Sequence, residues 1–459
     1  MLERCDSSAW VFTMKIRLPE KVSFIIEELQ QNGYDAYAVG GCVRDSVLGR
    51  EPQDWDITTS AKPEQVKSLF RHTIDTGIQH GTVTVMLERE GFEVTTYRID
   101  GEYEDARHPK TVSFTSDLPE DLKRRDFTIN AMAYNDTAGL VDLFDGRGDL
   151  ERGVVRCVGD PEERFREDAL RMLRAVRFAA QLGFRLDDDT RAAIVRLAPN
   201  LEKISAERIQ AELVKLLVSP HPEEIRTVYE TGMADVFLPE FSAMMRTPQQ
   251  NPHHCGSVGE HTIRSLGGVP PERVLRLTML FHDVAKPVCA RRDEEGIDHF
   301  HGHPQKGAEM AGQIMRRLRF DNDTTAKVKA LVRAHDDRPF PPTERNVRRS
   351  VFRNGEAQYP ALFAVKRADI LAQSDYLRKE KLEHLAEYEA VYHRIREKQQ
   401  CFSLKELAVS GSDLIAEGVA PGREIGRILN DMLQEVLEHP DMNKKDILLD
   451  WFRKNESMV

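Results

Sequence analysis

The apolar pattern of this 459-residue chain changes character once, near residue 150, and that single change limits the folds open to it. Before it, short strand-like runs are interspersed with helical stretches. Beyond it, apolar residues recur at helical spacing. Ala36–Val39, Trp55–Thr58, Thr82–Leu87 and Phe92–Tyr97 read as strands, and Pro19–Gln31 and Pro63–His72 as helices. In the first helix a proline opens, Val22, Ile25, Ile26 and Leu29 form one stripe, and Gly33 stops it. From about residue 160 the spacing predicts helices over Glu162–Gly183, Asp188–Leu197, Ser205–Val218 and Pro222–Thr231. A Pro/His/Gly-rich join at 247–256 precedes a helical region over 258–399, and Cys401–Val459 reads as short helices. Strands gathered at one end and helices at the other define an α+β chain. At this length it is expected to form roughly three units. Residues 1–13 carry no periodicity and read as an N-terminal extension.

Charged residues make up 31% of the chain, no apolar run nears the ~20 residues of a membrane span, and no signal peptide opens it. The six cysteines are scattered and never form CxxC, as expected of reduced thiols in the cytoplasm. A formal charge of −11 excludes a globally basic nucleic-acid binder, so any grip on phosphate must be local.

Two motifs carry chemistry in the first part. Tyr37–Asp45 (YAVGGCVRD) runs a strand into Gly40 and Gly41, then a short helix with Arg44 and Asp45. Glycines there let the backbone approach a bound group, and a helix start favours an anion. In Asp54-Trp55-Asp56, a strand would point both carboxylates to one face and Trp55 away. Like charges so close are costly unless a cation lies between them. Mg²⁺ takes such oxygen ligands and keeps places for water and phosphate. Glu93 is a candidate third carboxylate. A lone DxD is more often a solvated acidic edge; with the glycine turn upstream, nucleotidyl transfer through two metals is the better reading.

GGCVRD (40–45), DWDITT (54–59), RRDFTINAMAY (124–134) and REDALRMLRAVRFAAQLGF (166–184) resemble, nearly letter for letter, the class II tRNA nucleotidyltransferases, the CCA-adding enzymes. The resemblance is strong over about residues 14–235. It implies a polymerase-β-like nucleotidyltransferase head (14–150), a helical neck and body (151–235), and an activity adding CCA to tRNA from CTP and ATP. It implies further that Asp54 and Asp56, with Glu93 as third carboxylate, hold Mg²⁺, and that Gly40, Gly41, Arg44 and Arg125 contact the nucleotide. Asp168 and Arg171 would read the base, with Arg174 and Arg177 nearby.

Reading a base this way has a physical logic. On a helix, residues three apart are neighbours. A carboxylate only accepts hydrogen bonds and a guanidinium only donates. Cytosine and adenine both show an amino donor beside a ring-nitrogen acceptor, whereas uracil and guanine show the reverse. One Asp–Arg pair therefore accepts C and A without a template, and a wrong base leaves buried polar groups unpaired. Arg174 and Arg177 continue at steps of three, so the stripe winds round the helix and some of these arginines are free for RNA phosphate.

Asp100–Asp117 resembles the family's flexible loop, linked to the switch from CTP to ATP, with Asp105 and Arg107 in the matching stretch. His80–Val85 (HGTVTV) looks like the CCA-adding form and lacks the basic strand signature of poly(A) polymerases.

The helical half holds a second constellation. His282-Asp283 ends an apolar helix, and with His261 and Asp369 it completes the order His, His-Asp, Asp. This looks like the HD metal-dependent phosphohydrolases, an all-helical fold, here over 250–399 with a helical tail at 400–459. The four residues would then be metal ligands, with His303 and His335 supporting a second ion. Imidazole and carboxylate together suit Mn, Ni, Fe or Zn. Phosphatase or cyclic phosphodiesterase activity is the expectation for such a domain. Arg152, Arg156, Arg164, Arg166, Arg185, Arg191, Arg196 and Arg208 are candidates for gripping RNA. The rival readings are an A-adding-only enzyme or poly(A) polymerase, an HD phosphohydrolase with an RNA-binding head, and an RNA chaperone. Oligomeric state is not legible.

Overall fold

The computed structural model describes residues 15–100, 112–254 and 256–456. The residues 1–13, Asp105 and Arg107 lie outside them. The chain divides into two compact units, up to Pro239 and from Glu240 onward. Among the described residues, no helix is long and apolar enough to cross a membrane.

The first unit opens with α1 (Glu20–Gln31), whose stripe Val22, Ile25, Ile26 and Leu29 is buried. Each such side chain contributes about 1.5–3 kcal/mol of burial. The helix lies against a seven-stranded sheet of order β3-β4-β5-β2-β1-β8-β9. Its strands are β1 (Ala36–Val39), β2 (Ile57–Thr59), β3 (Thr73–Gly77), β4 (Thr82–Leu87), β5 (Glu90–Thr96), β8 (Met132–Asn135) and β9 (Gly139–Asp142). β6 (Arg98–Asp100) and β7 (Val112–Phe114) form a separate ribbon. β2 runs parallel to β5, with Ile57 opposite Val94, and antiparallel to β1, with Ile57 opposite Ala38. Between the strands stand α2 (Gly41–Val47), α3 (Pro63–Leu69), α4 (Leu118–Lys123) and α5 (Gly146–Arg152). Helices α6 (Pro161–Glu167), α7 (Leu170–Leu182), α8 (Asp188–Leu197) and α9 (Ala206–Leu217) follow, so the unit is α+β with a polymerase-β-like head and a helical continuation.

Three elements differ from the sequence expectation. The strand expected over Trp55–Thr58 begins only at Ile57, so Asp54, Trp55 and Asp56 stand at its mouth. Asp56 still accepts a backbone bond from Val39 (3.0 Å). Aspartate is poorly accommodated in a pleated surface, which accounts for the late start. The helix expected over Glu162–Gly183 breaks at Asp168, which is extended (φ −144°, ψ 103°). There the Asp168 carboxylate turns forward and accepts from the Leu170 N–H (3.1 Å), the competition by which short acidic side chains interrupt a helix. The tail is not made of short helices alone, because Arg423–Glu438 is sixteen residues long and buries Ile428, Met432, Leu433, Val436 and Leu437.

The second unit is helical apart from one two-stranded ribbon (Arg291–Arg292 with Asp298–His299) among its described residues. Its core stacks Tyr359, Phe363, Tyr388 and Tyr392 ring against ring.

Candidate active sites

The first site sits where β1 ends and the antiparallel β2 begins. Gly40 has φ +81°, and a β-carbon there would lie 3.1 Å from the Arg125 guanidinium. Arg44 extends from α2 to Asn130 (2.8 Å), grips Asp45 through two N–H groups, and lies over the Phe178 ring. Asp54, Asp56 and Glu93 line one cleft of about 1560 Å³. The parallel register sets Asp56 and Glu93 side by side, each one residue before a paired position. Partial desolvation first, then the charges of Glu93 and Asp54, push the Asp56 carboxyl up, while Arg125 pulls it back. An acid in that condition is short of positive charge. A neighbouring cavity of about 230 Å³ joins Asp56 and Glu93 to Arg98, Arg124 and Arg125. Carboxylates thus face guanidiniums across a small gap, suited to a cation on one side and a polyphosphate on the other. The buried Nε of Arg125 has no partner within the protein, and burial lowers its pKa.

Asp168 and Arg171, the residues expected to read the base, each have protein partners of their own. Asp168 is gripped by both terminal nitrogens of Arg208 (3.2 and 2.7 Å). Arg171 pairs with Glu167 and donates to the carbonyls of Arg164 (3.2 Å) and Arg124 (3.1 Å). Arg174 donates twice to Asp126 (2.9 and 2.7 Å). Burial alone would raise Asp126, but Arg174, then Arg171, overcome it and hold it at about 2. Arg177 is buried, bonded to Glu212 and Gln181 (2.8 Å each), and lies 3.5 Å over Phe178. Winding of the stripe turns it inward, so Arg177 braces α7 against α9. Of the arginines proposed to grip RNA, Arg152, Arg156, Arg164, Arg166, Arg191, Arg196 and Arg208 each pair with a carboxylate. Sequence reading missed Arg98, Asn130, Asp126 and Glu212. The doubled arginine at 124–125 was the one local hint of Arg124.

The second site is in the other unit, at helix ends. His261 comes from Val258–Leu266, and His282 and Asp283 follow Arg273–Phe281 directly. His303 starts His303–Arg317, His335 ends Asn322–Ala334, and Asp369 comes from Tyr359–Ala372. Each imidazole offers its Nδ1 to a backbone carbonyl: His261 to Ala372 (3.3 Å), His282 to Met279 (2.7 Å), His303 to Phe300 (2.8 Å) and His335 to Val332 (2.6 Å). A neutral ring that donates there presents a lone pair at Nε2. Those Nε2 atoms converge, His261 on His282 at 3.1 Å and His303 on His335 at 3.2 Å. Lone pairs facing each other repel unless a proton or metal lies between. Asp283 bridges the two pairs, with Oδ2 3.2 Å from His282 and Oδ1 3.4 Å from His303. Asp369 lies 3.0 Å from His261. Asp283 Oδ2 receives no well-aligned hydrogen bond, although Lys286 stands 2.7 Å away. Burial would raise both carboxyls, but His282 and Lys286 hold Asp283, and His261 holds Asp369, well below the usual range. The donor set fits one or two ions. Atoms of His261, His282 and Asp283 lie within 4.8 Å of one another, as do those of Asp283, His303 and His335. The cluster borders a cavity of about 440 Å³ that also carries Lys286, Arg338 and Lys381. Among the described residues, the carboxylates of the first site are not drawn together to that degree.

Comparison with known proteins adds a third line. A family profile described as the poly A polymerase head domain matches residues 36–156. One described as a probable RNA and SrmB-binding site of polymerase A matches 183–245, and one described as tRNA nucleotidyltransferase domain 2 matches 302–452. The CCA-adding enzyme of Lactiplantibacillus plantarum is 36% identical over 94% of this chain and 94% of its own. That of Levilactobacillus brevis is 36% identical over 94% of this chain and 98% of its own. The crystal structure of the Bacillus stearothermophilus CCA-adding enzyme in complex with CTP superimposes with a TM-score of 0.68 at 31% identity, covering 95% of this chain and 98% of that one.

Proposed function

Since the chain belongs to the CCA-adding enzymes, a family of tRNA nucleotidyltransferases, we propose a division of labour between its two sites. The first site builds CCA on the 3′ end of tRNA from CTP and ATP, without a nucleic-acid template. Residues 14–150 form the catalytic head and 151–235 the neck and body that hold nucleotide and tRNA. The observation that carries this reading is the face-off of Asp54, Asp56 and Glu93 with Arg98, Arg124 and Arg125 at the cleft.

Asp54 and Asp56, with Glu93, hold Mg²⁺. Mg²⁺ held by these carboxylates would supply positive charge to the RNA 3′-hydroxyl and to the departing pyrophosphate. The protein does the rest by positioning. Gly40 and Gly41 leave the backbone open beside the arginines, and Arg44 and Arg125 orient the triphosphate. Asp168 and Arg171 read the base once they exchange Arg208 and Glu167 for its edge. Arg174 supports them from the Asp126 side, and Arg177 through its bond to Glu212. The exchange gives the pair two states, one idle and one loaded. The experiment is stepwise nucleotide incorporation on tRNA ending at the discriminator base, in C, or in CC. Asp56→Ala should abolish all three additions. Addition of A alone would instead indicate a narrower polymerase.

The second site, residues 250–399, we read as an HD-type phosphoester hydrolase with a helical tail at 400–459. His261, His282, Asp283 and Asp369 hold a transition metal (Mn, Ni, Fe or Zn), and His303 and His335 support a second ion. The convergence of imidazole lone pairs on Asp283 supports this. Asp283→Ala should lower the metal content of purified protein, and unchanged content would remove the ligand assignment. Phosphatase activity surviving Asp56→Ala would place the two chemistries in separate sites.

A further inference from the structure

Beside the metal-bordering cavity lies a second one, of about 340 Å³, and its chemistry is different. Phe340, Ile370, Leu377, His384, Leu385 and Tyr388 line it, so its walls are largely apolar. The two cavities share His335, Arg338, Asp369 and Lys381. A ligand in one therefore touches the wall of the other. Phe340 is 79% exposed, beside a polar, cationic site where a large aromatic gains nothing from water. Its ring lies 5.6 Å from that of His384, tilted by 31°. The Nε2 of His384 is buried and has no partner within the protein. The Tyr388 hydroxyl is already engaged by Ser350 (2.9 Å), which leaves His384 as the free polar atom of these two rings.

The polar cavity suits a phosphoryl group: Lys286, Arg338 and Lys381 supply positive charge around the metal-binding cluster. The apolar cavity suits a flat ring with a polar edge, which Phe340 stacks and His384 hydrogen-bonds. A nucleotide is one class of molecule that joins a phosphate to a flat aromatic ring through a short polar link. We propose that the apolar cavity is a nucleobase subsite, and that it makes the metal centre selective for nucleoside phosphates over phosphate esters lacking a base. The claim deepens the reading of the centre as a hydrolase and rests on it. In that reaction the oxygen of water bonds to phosphorus, the ribose oxygen leaves, and a proton from the water goes to it. A free nucleotide and the 3′ end of an RNA share the chemistry recognised.

The test uses the full-length protein loaded with Mn²⁺, as wild type and Phe340→Ala. Phosphate release is measured from a nucleoside 3′-phosphate, from an RNA ending in a 3′-phosphate, and from ribose 3-phosphate as the base-free probe. Binding of nucleoside 3′-phosphate and of the base-free probe is measured in parallel by calorimetry. Stacking on one aromatic predicts that wild type prefers the nucleoside phosphate by roughly tenfold or more in kcat/KM. Phe340→Ala should erase that preference, mainly through KM, lowering kcat/KM for the nucleoside phosphate far more than for the base-free probe. The RNA arm shows whether the favoured source is a chain end or a free nucleotide. Equal wild-type kinetics with and without the base overturn the proposal. So does a Phe340→Ala loss that is the same for both substrates. If no phosphate is released from any substrate, the hydrolase reading fails. The subsite then stands if base-dependent binding disappears in Phe340→Ala, and falls if it does not. If the variant instead turns a dimer into a monomer with base-blind kinetics, the face seats a second copy and the proposal is wrong.

Discussion

Asp168 shows how one side chain does several jobs. It ends α6, caps the start of α7 through Leu170, and is held by Arg208 from α9. Removing it should leave the fold intact and blur the choice of nucleotide. Charged hydrogen bonds contribute about 1.5–3 kcal/mol, so Asp168→Ala should cut discrimination of CTP from UTP by roughly 10- to 150-fold. Single-nucleotide incorporation with each triphosphate checks this, and wild-type discrimination would defeat the assignment. Asp56 gives a pH prediction. Its pKa is raised in the fold, so its contribution to stability is full below the unfolded value and is lost as pH rises through the folded one. In chelator, Asp56→Asn should therefore raise the melting temperature at neutral pH and not at acid pH, while abolishing transfer. Much of this was legible beforehand, because DWD, GGCVRD and HD are contiguous and their chemistry is local. The partners were not. Arg208 lies 40 residues from Asp168, and no local pattern records that distance.

At the scale of elements, the strands around the cleft could be read because alternation and β-branched content coincide. Thr82–Leu87 is found as expected, and α1 starts one residue late. Helix spacing alone could not show the break at Asp168. The apolar stripe continues across it through Phe165, Leu170 and Leu173, all buried, so periodicity survives where hydrogen bonding does not. The break is what lets α6 and α7 point Asp168 and Arg171 at different partners. In the second unit, Lys286 follows Asp283 by three residues and neutralises it. Taking away one partner of a buried ion pair typically costs about 3–5 kcal/mol. Asp283→Ala should destabilise this unit by about that amount, as read by denaturant unfolding of the metal-free protein.

Across the whole molecule, acid outweighs base, yet arginines such as Arg191 and Arg196 sit in ion pairs instead of in a bare cationic stripe. If these arginines grip RNA as proposed, the RNA has to displace carboxylates to reach them. Binding should then weaken steeply with salt, and Arg196→Ala should flatten the slope of log affinity against log salt by about 1 or less. A titration of tRNA binding between 50 and 200 mM salt, both values being ordinary test conditions, checks it.

The four imidazoles of the second unit are anchored at their far nitrogens to backbone carbonyls. Rings fixed in that way cannot swing aside to let an ion escape. An ion bound there should accordingly exchange slowly: after brief dialysis against EDTA, metal analysis is expected to show loss from the exposed carboxylates of the cleft before loss from this centre.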